Sequence, residues 1–318
     1  MTTFGSIGLG TFPFSGIFRE VSESTAHSVV DTFLARGGSY IETAPSYPRR
    51  IDLGAILSRY PRNKLAIATK CVTGFDESGN RTRSGKRDFI LRQVEDEIKR
   101  LRCDYIDLLQ SHITPEDVSI TEFLDTIEVL FERGLIRSFG ASNVDTFQLT
   151  QLNQTGRVEW VQNRLSVIHR VSYESIKEYC LLQQIKLNVY QVLERGQLLS
   201  DFSVERGLSA ADLRRSKPEY AGDANKVIRE WFCAVSGRLQ REHGVRPDAL
   251  ATRWALAQPR VQLCVVGATL PEQIENALAA AEPLPPAASE QVDGEYRNLQ
   301  SDIRSRFGLS VEEFRGLA

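Results

Sequence analysis

Four ionisable side chains carry the chemistry that this sequence suggests: Glu42, Tyr47, Lys70 and His112. Glu42 lies in the apolar run 40–43, and Tyr47 follows in the next few residues. Lys70 ends the run 65–70, and His112 comes just after the run 106–110. Each alone has an ordinary use, because a strand-end Glu or Lys often forms an ion pair, a loop Tyr often packs and a single His is often a satisfied core residue. Together they compose a proton donor. A phenol titrates at about 10, too high for ready proton exchange at neutral pH. A neighbouring ammonium favours the phenolate and lowers that value, and a carboxylate keeps the ammonium charged and oriented. A His beside the phenol can hydrogen-bond a carbonyl oxygen and polarise it. Such a set suits protonation of a carbonyl during its reduction, which also requires a source of hydride.

Residues of this kind need rigid elements to hold them. Eight short apolar runs are read as strands, at 6–9, 40–43, 65–70, 106–110, 136–141, 159–162, 186–190 and 263–266. Most are followed by a segment of helical period. Ala26, Val29, Val30, Phe33 and Leu34 mark one helix face, with Gly37 and Gly38 as its left-handed stop. Phe89, Ile90, Val94, Ile98 and Leu101 mark another. Ser119 and Glu122 read as a capping box ahead of Phe123, Ile127 and Leu130, and a further helix is expected over 249–257.

Alternating strands and helices predict parallel strands covered on their faces. Eight such units fit a closed (β/α)₈ barrel of α/β class, expected here as a single domain over 1–318 with a long loop over 193–225 after its seventh strand. Catalytic groups of such barrels stand at the C-terminal strand ends, where all four residues fall. A doubly wound sheet is the rival. Its nucleotide fingerprint is matched only superficially by Gly5, Gly8 and Gly10, since residues 11–16 read as loop and not as a helix.

Composition narrows the class. The 318 residues, 42% hydrophobic, are enough for a sizeable core. Lys and Arg number 39 against 41 Asp and Glu, a formal charge of −2, so the broad basic surface of a nucleic-acid binder is excluded. No apolar stretch reaches the roughly 18 residues of a membrane span. Five Cys without a CxxC pair predict reduced thiols, with neither a disulfide framework nor a metal site. The start, Met1 to Phe4, lacks the charged and apolar regions of a secretory signal, so a cytoplasmic location is expected.

Several motifs, in order, resemble those of the aldo-keto reductase superfamily, from Gly8-Leu-Gly-Thr11 to about Ala280. Ile41-Glu-Thr-Ala-Pro-Ser-Tyr47 is similar to the D-T-A-x-x-Y stretch, and Ala68-Thr-Lys70 carries the lysine. The segment 101–112 resembles R-L-x-x-D-Y-I-D-L-x-x-x-H, and 134–143 resembles G-x-I-R-x-x-G-x-S-N. Val161-Gln162, 190–196 and 266–273 match later cofactor-binding stretches.

The resemblance implies an NAD(P)-dependent oxidoreductase acting on a small carbonyl substrate, with NADP(H) the favoured cofactor and NAD(H) the other. It makes Tyr47 the general acid, Lys70 the group that tunes it and His112 the residue that orients the carbonyl, while Glu42 occupies the aspartate position. Ser142, Asn143 and Gln162 would hydrogen-bond the nicotinamide carboxamide, an amide that needs both donors and acceptors. Ser142 and Asn143 equally suit a cap for the following helix. Gly10, Thr11, Tyr190, Gln191, Leu193, Gly196, Leu198, Gly267, Thr269, Gln273 and Asn276 would surround the rest of the cofactor, with Arg214 a source of charge. Residues 267–269 are expected at a helix N-terminus, where free amides suit an anion.

Four departures from the family pattern bear on function. Glu42 replaces Asp, and the extra methylene must move either the carboxylate or Lys70. The loop after Tyr47 is short and brings Arg49 and Arg50 near the mouth, as anion ligands or as solvated surface. Leu165 stands where an aromatic usually stacks on the nicotinamide. Thr269, Leu270 and Gln273 stand where many members place cations against the 2′-phosphate. Two other readings stay open from sequence: an elimination or epimerisation without net redox, and a cofactor-binding regulatory subunit.

Overall fold

The computed structural model describes residues 5–76, 78–199, 208, 212–220 and 222–317. Its strands are β1 (Ile7–Gly10), β2 (Tyr40–Glu42), β3 (Ala66–Cys71), β4 (Thr73–Phe75), β5 (Arg81–Arg83), β6 (Leu108–Ser111), β7 (Phe139–Ser142), β8 (Val158–Arg164), β9 (Lys186–Tyr190) and β10 (Val261–Gly267). Eight of them close into a barrel in the order β1-β10-β9-β8-β7-β6-β3-β2. Every neighbouring pair is parallel. These are the eight runs read from the sequence, and the fold is the expected (β/α)₈ barrel. The remaining two strands, β4 and β5, form an antiparallel hairpin that the sequence reading did not contain.

Side chains alternate across each strand, so one set fills the barrel and the other meets the helices. Tyr40, Ala66, Ala68, Leu108, Trp160, Leu263 and Val265 pack together inside. Room for the Tyr40 ring comes from Gly8, where a Cβ would lie 2.6 Å from it. Toward the C-terminal strand ends the filling turns polar: Glu42, Lys70, Gln110, Ser142, Gln162 and Asn188 are all buried. Asn188 Nδ2 donates to Tyr40 OH at 2.8 Å, which joins the apolar filling to this polar layer.

The helices are α1 (Glu23–Ala35), α2 (Leu53–Leu57), α3 (Arg87–Leu101), α4 (Ile120–Glu132), α5 (Thr146–Leu152), α6 (Val171–Glu174), α7 (Lys177–Leu182), α8 (Gly222–His243), α9 (Leu250–Leu256), α10 (Pro271–Leu278), α11 (Pro286–Phe307) and α12 (Val311–Phe314). Ser119 caps α4 by accepting from Glu122 N–H at 3.1 Å, one of the two bonds of the expected capping box. The loop expected over 193–225 is broken by short 3₁₀ turns at Glu194–Gly196, Leu213–Ser216 and Pro218–Tyr220, and it ends at Gly222 where α8 begins. Residues 200–207, 209–211 and 221 lie outside the described residues. Among the described residues, no helix is long and apolar enough to cross a membrane.

Candidate active site

Glu42, Lys70 and Gln162 point into the barrel, and Tyr47 approaches them from the loop after β2. Lys70 Nζ donates to Glu42 Oε1, to Tyr47 OH at 3.0 Å and to the Thr43 carbonyl at 3.3 Å. Each of its three protons therefore has an acceptor. Tyr47 OH donates to Glu42 Oε1 at 2.8 Å, and Gln162 Nε2 approaches the same oxygen at 3.4 Å. The side chains of Glu42 and Lys70 are both 3% exposed, so this is a buried ion pair with a phenol on its open side.

This geometry corrects one expectation. Burial raises the Tyr47 hydroxyl well above its ordinary value, and the Glu42 charge and hydrogen bond raise it further. Lys70 does not lower it overall: burial depresses Lys70 itself, opposed by Glu42. Glutamate is long enough to touch Tyr47 and Lys70 with one oxygen, and a carboxylate that accepts the phenol proton opposes its loss. Tyr47 is thus held protonated, with Lys70 placed to stabilise the phenolate once another acceptor takes the proton.

His112 closes the site at the end of β6. Its Nδ1 lies 2.6 Å from Thr73 Oγ1 and 3.3 Å from Ser46 Oγ. Its ring meets that of Tyr47 edge-on at 6.3 Å. Burial, with Lys70 and Arg81 adding to it, lowers His112 to about 3, so it is neutral at neutral pH. When Thr73 donates to Nδ1, the ring proton sits on Nε2 and can be offered to a carbonyl oxygen. Thr73, Ser46 and Phe12, whose ring stands edge-on to Tyr47 at 5.0 Å, belong to this site and were missed from sequence. Their types carry no catalytic signal, and Thr73 became visible only with the β4–β5 hairpin.

On the opposite wall, Ser142, Asn143 and Gln162 come together where β7 and β8 end. Ser142 Oγ donates to Gln162 O at 2.9 Å, and Asn143 N–H donates to the same carbonyl at 3.1 Å. Asn143 Nδ2 donates to His112 O at 3.0 Å, and Tyr190 OH donates to Asn143 Oδ1 at 2.6 Å. Gln162 Oε1 is buried with no hydrogen-bond partner in the structure. An orphaned buried acceptor is costly, and a carboxamide N–H would satisfy it. The residues present therefore fit a nicotinamide. Leu165 is fully buried and its N–H donates to Tyr190 O at 3.2 Å, while the Tyr190 hydroxyl reaches Asn143.

The other expected cofactor residues divide. Gln191 opens a turn in left-handed backbone, φ 58°, and its Oε1 is buried without a partner. Leu193 and Gly196 lie in that turn, braced by fully buried Glu194, to which Ser166, Arg164 and Arg315 donate. Burial would raise Glu194, but the two arginines outweigh it and hold the carboxyl at about 2. Leu198 is fully buried, and its N–H donates to Leu193 O. Thr11 N–H donates to Glu42 O at 2.9 Å, fixing the backbone of that residue. Gly10 brings β1 against Val265, where a Cβ would lie 2.9 Å away.

Two further expectations are corrected. The helix after β10 begins at Pro271, not beside Gly267, and the Thr269 N–H is taken by Gln273 Oε1 at 2.8 Å. No free amide is therefore offered by Thr269, while Gln273 and Asn276 lie exposed on α10. Arg214 is held by Asp212, with Nη2–Oδ2 at 2.7 Å and Nε–Oδ1 at 3.0 Å, so its charge is neutralised locally. Arg49 donates through Nη2 to buried Glu97 at 3.1 Å, while its side chain stays half exposed.

Residues 6–296 match the model of the Aldo/keto reductase family. The chain is 29% identical over 275 residues to the aldo-keto reductase YhdN of Bacillus subtilis, covering 85% of this chain and 82% of that protein. It is 26% identical over 302 residues to the NADH-specific methylglyoxal reductase of Escherichia coli, covering 87% and 90%. Among solved structures, the glycerol dehydrogenase of Gluconobacter oxydans superposes with a TM-score of 0.83 at 25% identity, over 93% of each chain. With a matching barrel, the ordered motifs and a family match across nearly its whole length, the chain belongs to the aldo/keto reductase family.

Proposed function

We propose that this protein reduces the carbonyl of a small aldehyde or ketone, with Tyr47 as proton donor and NAD(H) as the preferred cofactor. The buried Tyr47–Lys70–Glu42 triangle beside a neutral His112 is the observation that carries the reading. When bound, the reduced nicotinamide supplies the hydride. Gln162, Ser142 and Asn143 would hold its carboxamide, and Tyr190 and the 191–196 turn would be available to line the rest of its site. His112 Nε2 and Tyr47 OH converge on the carbonyl oxygen. As negative charge develops there, the Tyr47 hydroxyl turns from Glu42 to that oxygen and gives up its proton. The Lys70 ammonium then faces a phenolate, and the ion pair with Glu42 keeps that ammonium in place.

The preference for NAD(H) departs from the family's usual NADP(H). A 2′-phosphate needs a cation, yet the first turn of α10 carries Glu272 and Gln273 and no basic residue. Arg214, the other expected source of charge, is tied to Asp212. Calorimetric titration should show NADH binding at least about tenfold tighter than NADPH, the effect of a difference near 1.4 kcal/mol. Tighter binding of NADPH would overturn the cofactor choice and leave the proton chemistry standing.

A further inference from the structure

Glu97 stands where a helix of this kind normally places an apolar side chain. The buried stripe of α3 reads Ile90, Val94, Glu97, Leu101, and Glu97 is 1% exposed. A buried carboxylate offers no gain in stability over a well-packed apolar side chain unless it does something that such a side chain cannot. Its partners show what that is. Glu97 Oε1 accepts from Arg49 Nη2 at 3.1 Å and from Arg100 Nε at 2.8 Å. Glu97 Oε2 accepts from Thr69 Oγ1 at 3.1 Å and from Arg100 Nη2 at 2.6 Å. The same Arg100 nitrogen lies 3.5 Å from Thr43 Oγ1.

Each of those handles adjoins a member of the catalytic triangle. Thr43 follows Glu42, Thr69 precedes Lys70, and Arg49 stands two residues after Tyr47. Because strand side chains alternate, Glu42 and Lys70 point into the barrel while Thr43 and Thr69 point out toward α3. From behind the wall, one carboxylate thus holds β3 through Thr69 and the loop through Arg49, and reaches the end of β2 by way of Arg100.

We propose that Glu97 is a positioning residue that sets the relative placement of Tyr47, Lys70 and Glu42. This rests on the carbonyl-reductase reading above. Angstrom-scale displacement of such groups can lower a rate a hundredfold. The test compares the wild-type enzyme with Glu97→Gln and Arg49→Met. Arg49 is 51% exposed, and its removal leaves Arg100 on Glu97, so the second variant keeps the question open to experiment if the first does not fold.

In Glu97→Gln, kcat should fall roughly ten- to a hundredfold while KM for the carbonyl and cofactor affinity stay nearly unchanged. Arg49→Met should show a smaller fall of the same kind. The ζ-carbon NMR resonance of Tyr47, assigned by its loss in Tyr47→Phe, should shift in both variants. That signal reads the phenol without turnover. Wild-type kcat and an unmoved Tyr47 resonance in the folded variants would overturn the proposal, even with a lowered Tm. A wild-type enzyme that reduces no carbonyl would refute the functional reading instead, and the resonance would still decide the role of Glu97.

Discussion

Tyr47→Phe should abolish carbonyl turnover while leaving the cofactor bound. The change removes one oxygen and keeps the ring, so the edge-on contact with Phe12 at 5.0 Å survives. The Lys70–Glu42 pair also survives, since their bond does not pass through the phenol. What disappears is the hydroxyl that donates to Glu42 at 2.8 Å and receives Lys70 at 3.0 Å, and with it the proton to be transferred to the carbonyl beside His112. Loss of a positioned general acid lowers a rate by about 10²- to 10⁴-fold. Gln162, Ser142 and Asn143 sit on other strands, so calorimetric affinity for the cofactor should not change. Initial rates within tenfold of wild type would remove Tyr47 from the chemistry.

Lys70→Met carries the other large effect, and it strikes both activity and stability. The ammonium is buried between Glu42 and Tyr47 and fills all three of its donor positions. Methionine matches its length and deletes the charge. Glu42, 2% exposed, is then left as a buried carboxylate without its cation. Breaking a buried ion pair from one side costs about 3–5 kcal/mol, which chemical denaturation would register as a large fall in midpoint. The phenolate that forms in the reaction also loses its stabilising charge, so the rate should fall by at least about a hundredfold. The two variants differ in a useful way, since Tyr47→Phe should lose activity with little loss of stability and Lys70→Met should lose both. A Lys70→Met protein with wild-type stability would mean that Glu42 and Lys70 are not a charged pair.

The eight barrel strands were legible because a parallel strand covered on both faces is a short apolar run, and each such run became a strand. The β4–β5 hairpin was not, because Thr73–Phe75 and Arg81–Arg83 are short and largely polar. Two further helices carry a readable pattern: Ile228, Phe232, Val235 and Leu239 line α8, and Ala288, Val292, Tyr296, Leu299 and Ile303 line α11, all at helical spacing. In the site, Glu42, Tyr47, Lys70 and His112 could be found from type and strand-end position. Their electrostatics could not. A lowered Tyr47 pKa follows from an adjacent ammonium, but the raised value follows from burial and from a carboxylate reaching the same hydroxyl, which only three-dimensional placement reveals. Glu97 left a trace in the sequence, a charged residue on an apolar stripe, that was masked by Ile98 beside it.

That hydride and proton meet at a carbonyl held by Tyr47 and His112 can be put to experiment. It is tested most directly by the mass of the alcohol formed from a small aldehyde in ordinary water, with reduced NAD deuterated at its transferable position. One deuterium is expected on the carbinol carbon of the product, and no such product from Tyr47→Phe. An alcohol without deuterium, or labelled alcohol formed equally fast by Tyr47→Phe, would contradict it.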